Sequence, residues 1–393
     1  MKTSHTKSMK TFLLILLALS LFIITTIGCG SSNSTNSGSQ AGSGSGSGSN
    51  PNPTPSPAPG TPGVTRDAAF WPFSVDSPWN MPLATSAIYS TGDASDLCAK
   101  DLSDLKIVIN SDKWSHPIFI ASESDPEAKI YLDHSQENPP KNPSLERTIL
   151  IPKNANPAAP PFNGDCANTQ EGDAHLHIID PTHHFVDEMW RASNLGNINW
   201  KACGYTRNDL YGSGIETGGE RAYGGSALGG LIRKEELKKG IPHALAFALF
   251  KSNQQCLKPD MNKIPGCSAL WPATQVDSWA TPNSYSGNVP MGQLIAIPPN
   301  VNLASLGLSA QATIIARALQ DYGAYDVDST ESKEIGFSVE TGASSEVDQN
   351  LENELTTKIV PLLRCIKNNG KDSVGGALTP DTPRRAPLAP PLK

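Results

Sequence analysis

The stretch Asp173-Ala174-His175-Leu176-His177-Ile178-Ile179-Asp180-Pro181-Thr182-His183-His184-Phe185-Val186-Asp187-Glu188-Met189-Trp190 is the densest run of proton-moving groups in the chain. Side chains alternate faces along a strand, so Asp173, His175 and His177 share one face while Ala174, Leu176 and Ile178 share the other. A two-residue turn at Pro181-Thr182 sets His175 opposite Glu188, Asp173 opposite Trp190 and Ile178 opposite Phe185. A four-residue turn shifts the pairing by two and keeps the faces, whereas a three-residue turn breaks them. The polar face then gathers Asp173, His175, His177, Glu188 and Trp190. Two imidazoles beside two carboxylates and an indole suit acid/base chemistry on a sugar, with a carboxylate tuning the histidine and the aromatic ring stacking on the substrate. His175 is the candidate general acid/base and Glu188 its partner. Asp173 supplies the second carboxyl that hydrolysis requires. His-x-His on a strand also offers two nitrogens to one side, as a metal site would need. The plain alternative is a solvated sheet face, and the reading taken expects neither a metal nor a cofactor.

The loop Gly218-Gly219-Glu220-Arg221-Ala222-Tyr223-Gly224-Gly225-Ser226 is the second dense region. Its glycines permit close backbone approach. No Lys-Ser/Thr pair closes it as a phosphate loop, and Ser226 sits in no nucleophile-elbow pattern. Arg221 is a candidate binder of an acidic sugar group, with Tyr223, His177 and Trp190 lining the same site. The alternative is a structural loop tied by an Arg and Glu pair.

The elements that must position these groups read as short strands separated by Pro, Gly, Asn and Asp: 106–110, 117–121, 130–132, 148–151, 176–179, 184–190, 244–250 and 293–297. Many short strands with punctuating turns predict a mainly β fold, an antiparallel, jelly-roll-like sandwich with one or two covering helices. The clearest helix spans Ala310 to Tyr322, capped by Ser309 and Gly323, with Ala312, Ile315, Ala316, Leu319 and Tyr322 on one stripe. A second candidate, Glu352 to Ile366, is kinked by Pro361. Lys234 to Lys239 forms a turn or two before Gly240.

The N-terminus explains where such chemistry would take place. Lys2, Lys7 and Lys10 precede an apolar run from Thr11 to Ile27 and then Gly28-Cys29, the layout of an export signal. Thr26-Ile27-Gly28-Cys29 resembles the lipobox of bacterial lipoproteins, which implies lipidation of Cys29 and a membrane anchor; an uncleaved signal anchor is the alternative. Gly30 after the cysteine implies, by the same resemblance, outer-membrane sorting in a Gram-negative cell. Residues 30–65 form a Ser/Gly/Pro linker, 66–372 one β-rich domain, and 373–393 a Pro-rich tail read as disordered. Of 31 basic residues three fall in the signal, leaving 28 against 38 acidic ones, and no basic patch suggests nucleic acid. Six cysteines remain, Cys98, Cys166, Cys203, Cys256, Cys267 and Cys365; an even number in an exported chain predicts disulfides. Cys256 and Cys267 bracket a short Pro/Gly loop and are the best single pair.

A set of motifs in fixed order resembles an uncharacterised family of secreted bacterial proteins. It begins with Ser77-Pro78-Trp79-Asn80, Ser124-Asp125-Pro126, Asp173-Ala174-His175 and Glu188-Met189-Trp190. It continues through Gly229-Gly230-Leu231-Ile232, Glu235-Glu236-Leu237 and Ile241-Pro242-His243-Ala244-Leu245, then Trp271-Pro272-Ala273, Met291-Gly292 and Ala318-Leu319-Gln320-Asp321-Tyr322-Gly323. The resemblance implies an exported domain in a polysaccharide-handling setting, without a named activity. Arg221 departs from many members of that family, which carry Asp there, while others carry Arg. The expectation is a surface lipoprotein that recognises, and by hydrolysis or elimination cleaves, an extracellular polysaccharide, with a non-catalytic glycan- or protein-binding module as the alternative.

Overall fold

The run Leu-Ala-Phe-Ala-Leu-Phe alternates large and small apolar side chains, and the strand it forms, Leu245–Phe250, is buried on both faces. Leu245, Phe247 and Leu249 join one core with Ile295, Phe337 and the helix residues Ala312, Ile315, Ala316 and Leu319. Ala246 faces the opposite core, formed around Trp79, Tyr223 and Tyr325. Trp79 packs edge-on against both tyrosines, at 5.8 and 5.5 Å between ring centres. The Ser-Pro-Trp-Asn element thus supplies a core anchor. Gly230 is needed beneath it, because its φ is +69° and an added Cβ would lie 2.5 Å from the Ala246 nitrogen.

This computed structural model describes residues 64–110, 113–133, 144–158, 166, 172–215 and 218–393. The export signal, Cys29 and nearly all of the linker lie outside the described residues. Among those described, the chain is mainly β with few helices and no closed barrel. A six-stranded central sheet runs Lys106–Asn110, Glu334–Ser338, Leu245–Phe250, Ala324–Thr330, Leu294–Ala296, Arg364–Cys365 in space. The sheets are mixed rather than antiparallel throughout: Lys106–Asn110 pairs in parallel with Glu334–Ser338, and Leu245–Phe250 with Ala324–Thr330. Long connections carrying helices make such pairs possible, as two-residue turns cannot.

The helix Ala310–Asp321 begins where expected, with the Ser309 side chain accepting from the Ala312 N–H, and it covers the central sheet. A shorter helix, Leu351–Lys358, ends before Pro361 and is followed by a separate 3₁₀ turn. It also closes the sheet edge, since Glu352 and Thr356 accept the backbone N–H groups of Ile109 and Ile107. One helix, Leu97–Ser103, was not expected from sequence; Asp96 caps it by accepting from Cys98 and Ala99.

Two four-stranded sheets complete the domain. The first runs Ile118–Ile120, Leu176–Ile179, Phe185–Trp190, Gly204–Asp209; the second runs Ser144–Leu150, Glu127–Leu132, Asn199–Ala202, Ser193–Gly196. Leu176, Ile178 and Met189 from the first pack with Ala128, Ile130, Ile149 and Trp200 from the second. Ile179 and Val186, on the opposite face of the first sheet, belong to the core around Trp79. The first sheet is therefore covered on both sides.

Three disulfides tie the described residues: Cys98 to Cys365, Cys166 to Cys203, and Cys256 to Cys267 as expected. They suit an oxidising or extracellular compartment. No helix among the described residues is long and apolar enough to cross a membrane. The C-terminal segment corrects the expectation of a disordered tail. Leu392 bridges to Arg66, Arg384 bridges to Ala84, and the Arg384 guanidinium donates to the Pro82 and Val374 carbonyls. Proline lowers the entropy lost on ordering such a strap, which a composition-based reading does not register.

Candidate functional site

The hairpin turns through four residues, so His177 pairs with Glu188, Ile178 with Asp187 and Ile179 with Val186. The faces survive, as parity demands, but the partner of Glu188 is His177 rather than His175. The polar face is also not open. It points inward, toward the central sheet, and His175, His177 and Glu188 are all buried.

Glu188 is not the partner carboxyl of His175. Its oxygens accept from the Ser226 hydroxyl, the Ala227 N–H and the Asn208 amide, which fasten the hairpin to the end of the glycine-rich loop. Burial first, then the charge of Glu220, pushes its pKa up to about 8. Tyr223 is likewise structural: its hydroxyl donates to the Ser226 carbonyl at 2.7 Å and its ring is buried against Trp79. Neither can line a binding surface.

The carboxylate that reaches His175 comes from the loop. Gly219 lets that loop close, because an added Cβ would lie 1.6 Å from the Gly225 carbonyl oxygen. The next side chain, Glu220, is fully buried and sits 3.1 Å from His175 Nδ1 and 3.9 Å from His177 Nε2. A third histidine, His116, arrives from just before the strand Ile118–Ile120. Its backbone N–H donates to Val339 and its carbonyl accepts from Thr341, so it marks the junction of the first four-stranded sheet with the central one. His116 Nδ1 lies 3.0 Å from His177 Nε2, and its ring stacks on His175 at 4.2 Å.

Arg221 closes the back of this cluster. Its guanidinium reaches His116 Nε2 at 2.9 Å, the Ser338 hydroxyl at 2.7 Å and Asp328 at 3.3 Å. An arginine can only donate, so His116 Nε2 accepts and its Nδ1 carries the proton given to His177. Arg221 is thus an interior clamp, not the exposed receptor for an acidic sugar that the sequence suggested.

Charge is divided unevenly among the rings. Burial opposes a proton on His175, but Glu220 and Asp173 outweigh it and lift the pKa to about 10. Burial, with only Glu220 opposing, drops His177 to about 3. His116 is also held well below its usual value by burial and the neighbouring cations.

The partly exposed groups beside the cluster include two acids. Asp173 keeps 30 % of its side chain exposed, 3.5 Å from His175 Nε2, while accepting from the Trp190 indole N–H at 2.9 Å. Asp328 is 25 % exposed beside Arg221; burial, opposed by Arg221 but aided by Asp277 and Asp173, lifts it to about 7. Asp277 accepts from Tyr285 and Ser329 nearby. Trp190 is half-buried, with the Arg191 guanidinium 4.6 Å from its ring centre, so one face of the proposed stacking platform is already covered.

Asp173, His175, His177, Trp190 and Arg221 converge, then, while Glu188 and Tyr223 do not. His116 and Asp328 lack a local signal, because only the parallel pairing of Ile118–Ile120 with Leu176–Ile179 and the central sheet deliver them. One ligating atom from each of His116, His175, His177 and Glu220 lies within 4.8 Å of the others, a donor set able to hold a metal ion. Comparison of the chain with family models, curated proteins and solved structures gives no match.

Proposed function

We propose that this chain is a surface-anchored lipoprotein whose folded domain recognises and cleaves an extracellular polysaccharide, by hydrolysis or elimination. The observation that carries the reading is Asp173: a partly exposed carboxylate pinned between the Trp190 indole and His175 beside a buried polar cluster. A carboxylate held on two sides has a set direction, which is what abstraction of a proton or activation of water from a bound sugar requires. Asp328, on the other side of Arg221, is the second carboxyl. Glu188, named from sequence for that task, is too deeply enclosed for it. His175 acts through Asp173 as a positioning residue rather than by touching the sugar.

A polysaccharide panel assayed for new reducing ends and for ultraviolet-absorbing unsaturated products tests this directly. Asp173→Asn should lower turnover at least ~100-fold, in the range typical of general acid/base groups, with little change in melting temperature. Full activity of Asp173→Asn, or no product from any glycan with the wild type, would overturn cleavage. A second reading, recognition without cleavage, is favoured by the covered histidines, since the partly exposed groups beside them are Asp173, Trp190, Asp277 and Asp328. Saturable glycan binding without product would select it.

A further inference from the structure

We propose that His116, His175, His177 and Glu220 form a binding site for one divalent transition-metal ion of the zinc class. The inference stands independently of the glycan reading. His175 and His177 leave one face of one strand, two residues apart, and Glu220 meets both from the loop. Two histidines and a carboxylate from two separate elements are a known ligand set for first-row metals, and His116 Nδ1 supplies a fourth donor. Ligands about 2 Å from one ion stand roughly 3–4 Å from each other. Three of the separations here, 3.0, 3.1 and 3.9 Å, match that spacing, and all four donor atoms lie within 4.8 Å of one another.

A second, separate observation points the same way. Glu220 Oε1 is buried without a hydrogen-bond donor, and it faces His175 and His177. A buried carboxylate is costly unless a cation meets it; protonated His175 can do so at 3.1 Å, and a metal ion held by the same atoms would take over that role. The surroundings of the ligands are also those of a metal centre: Asp173 faces His175 Nε2 at 3.5 Å, so a metal on Nδ1 completes a carboxylate–histidine–metal line. Asp173 and Asp328, partly exposed beside the cluster, add negative charge that favours a cation there.

Binding displaces the proton that His175 Nδ1 shares with Glu220, which is released to solvent, and also requires a rearrangement at His116. A metal on His116 Nδ1 moves the ring proton to Nε2, where Arg221 now donates, so Arg221 must release His116 and remain on Ser338 and Asp328. Tetrahedral geometry with three nitrogens and one oxygen selects Zn2+ or Co2+ over Mg2+ or Ca2+, which require oxygen-rich shells.

The test uses the full chain, purified untagged, stripped with chelator and titrated with Zn2+ by calorimetry, with Co2+ as the spectroscopic probe. One saturable Zn2+ per chain, a raised melting temperature and the visible bands of tetrahedral Co2+ are expected. Glu220→Gln should weaken Zn2+ at least ~100-fold, and Asp173→Asn by roughly 10–100-fold because it orients a ligand. His184→Ala, which alters an exposed histidine, should leave binding unchanged. Absence of saturable binding in the folded wild type overturns the proposal, as does full affinity in Glu220→Gln or loss of binding in His184→Ala. Should Glu220→Gln fail to fold, His175→Asn together with the wild-type Co2+ spectrum decides. Zn2+ binding with no glycan cleaved by the loaded protein would sink the glycan reading alone, and cleavage without Zn2+ binding would sink this one alone.

Discussion

Glu188 and Glu220 are both buried carboxyls, one on the hairpin that carries His175 and His177 and one on the glycine-rich loop, and a single sequence cannot say which one serves the imidazoles. The structure divides the roles by donor: Glu188 takes Ser226, Ala227 and Asn208, whereas Glu220 takes the imidazoles. Glu188→Ala should therefore cost about 1–3 kcal/mol, as three buried donors lose their acceptor. Affinity for Zn2+ measured on the surviving folded protein should fall little. A denaturant melt and a Zn2+ titration on the same variant check both halves. A large loss of affinity with unchanged stability would mean that Glu188 belongs to the site after all.

At the scale of elements, the hairpin and the helix Ala310–Asp321 were legible because each has a strict period, two for the strands and 3.6 for the helix. The end of that helix carries a penalty of its own. Asp321 lies in its last turn, where the unpaired carbonyls disfavour negative charge, and burial pushes its pKa up to about 6 despite Arg317 and Arg385. For a carboxyl whose folded pKa exceeds its unfolded one, the neutral form is the one the fold prefers. Below pH ~4 it is protonated in both states and costs nothing. As pH rises through 6 the folded state must ionise a half-buried acid, and stability falls. Asp321→Asn should then raise the melting temperature at pH 8, by the equivalent of about 1 kcal/mol after allowing for partial exposure, and leave it unchanged at pH 4. Equal effects at both pH values would contradict this cause.

For the molecule as a whole, the first sheet is caught between the second four-stranded sheet and the central body, which turns its polar face into an interior. That arrangement accounts for histidines with opposed proton affinities within one cluster. It also leaves Asp173 and Asp328 as partly exposed acids beside the cluster. The disulfide between Cys98 and Cys365, 267 residues apart in sequence, ties the start of the domain to its last central strand and fits an exported protein. If Cys29 carries the lipid, Cys29→Ala should move the protein out of the membrane fraction or leave unprocessed precursor, as judged by fractionation and intact mass. Normal processing with unchanged membrane retention would rule out the lipid anchor.

Local order came from sequence alone. The strands at 106–110, 176–179 and 245–250, the Ser309 cap, the hairpin parity and the pairing of Cys256 with Cys267 all depend on neighbours within a dozen residues. Side-chain period and turn chemistry act at that range. Which way the polar face points, which glutamate meets His175, and the arrival of His116, Ser338 and Asp328 depend on contacts between elements far apart in the chain. Parallel pairing of Ile118–Ile120 with Leu176–Ile179 and the bridge from His116 to Glu340 carry no local mark. A strand's alternation states that it has two faces, but which of them meets solvent is decided only when another sheet packs against it.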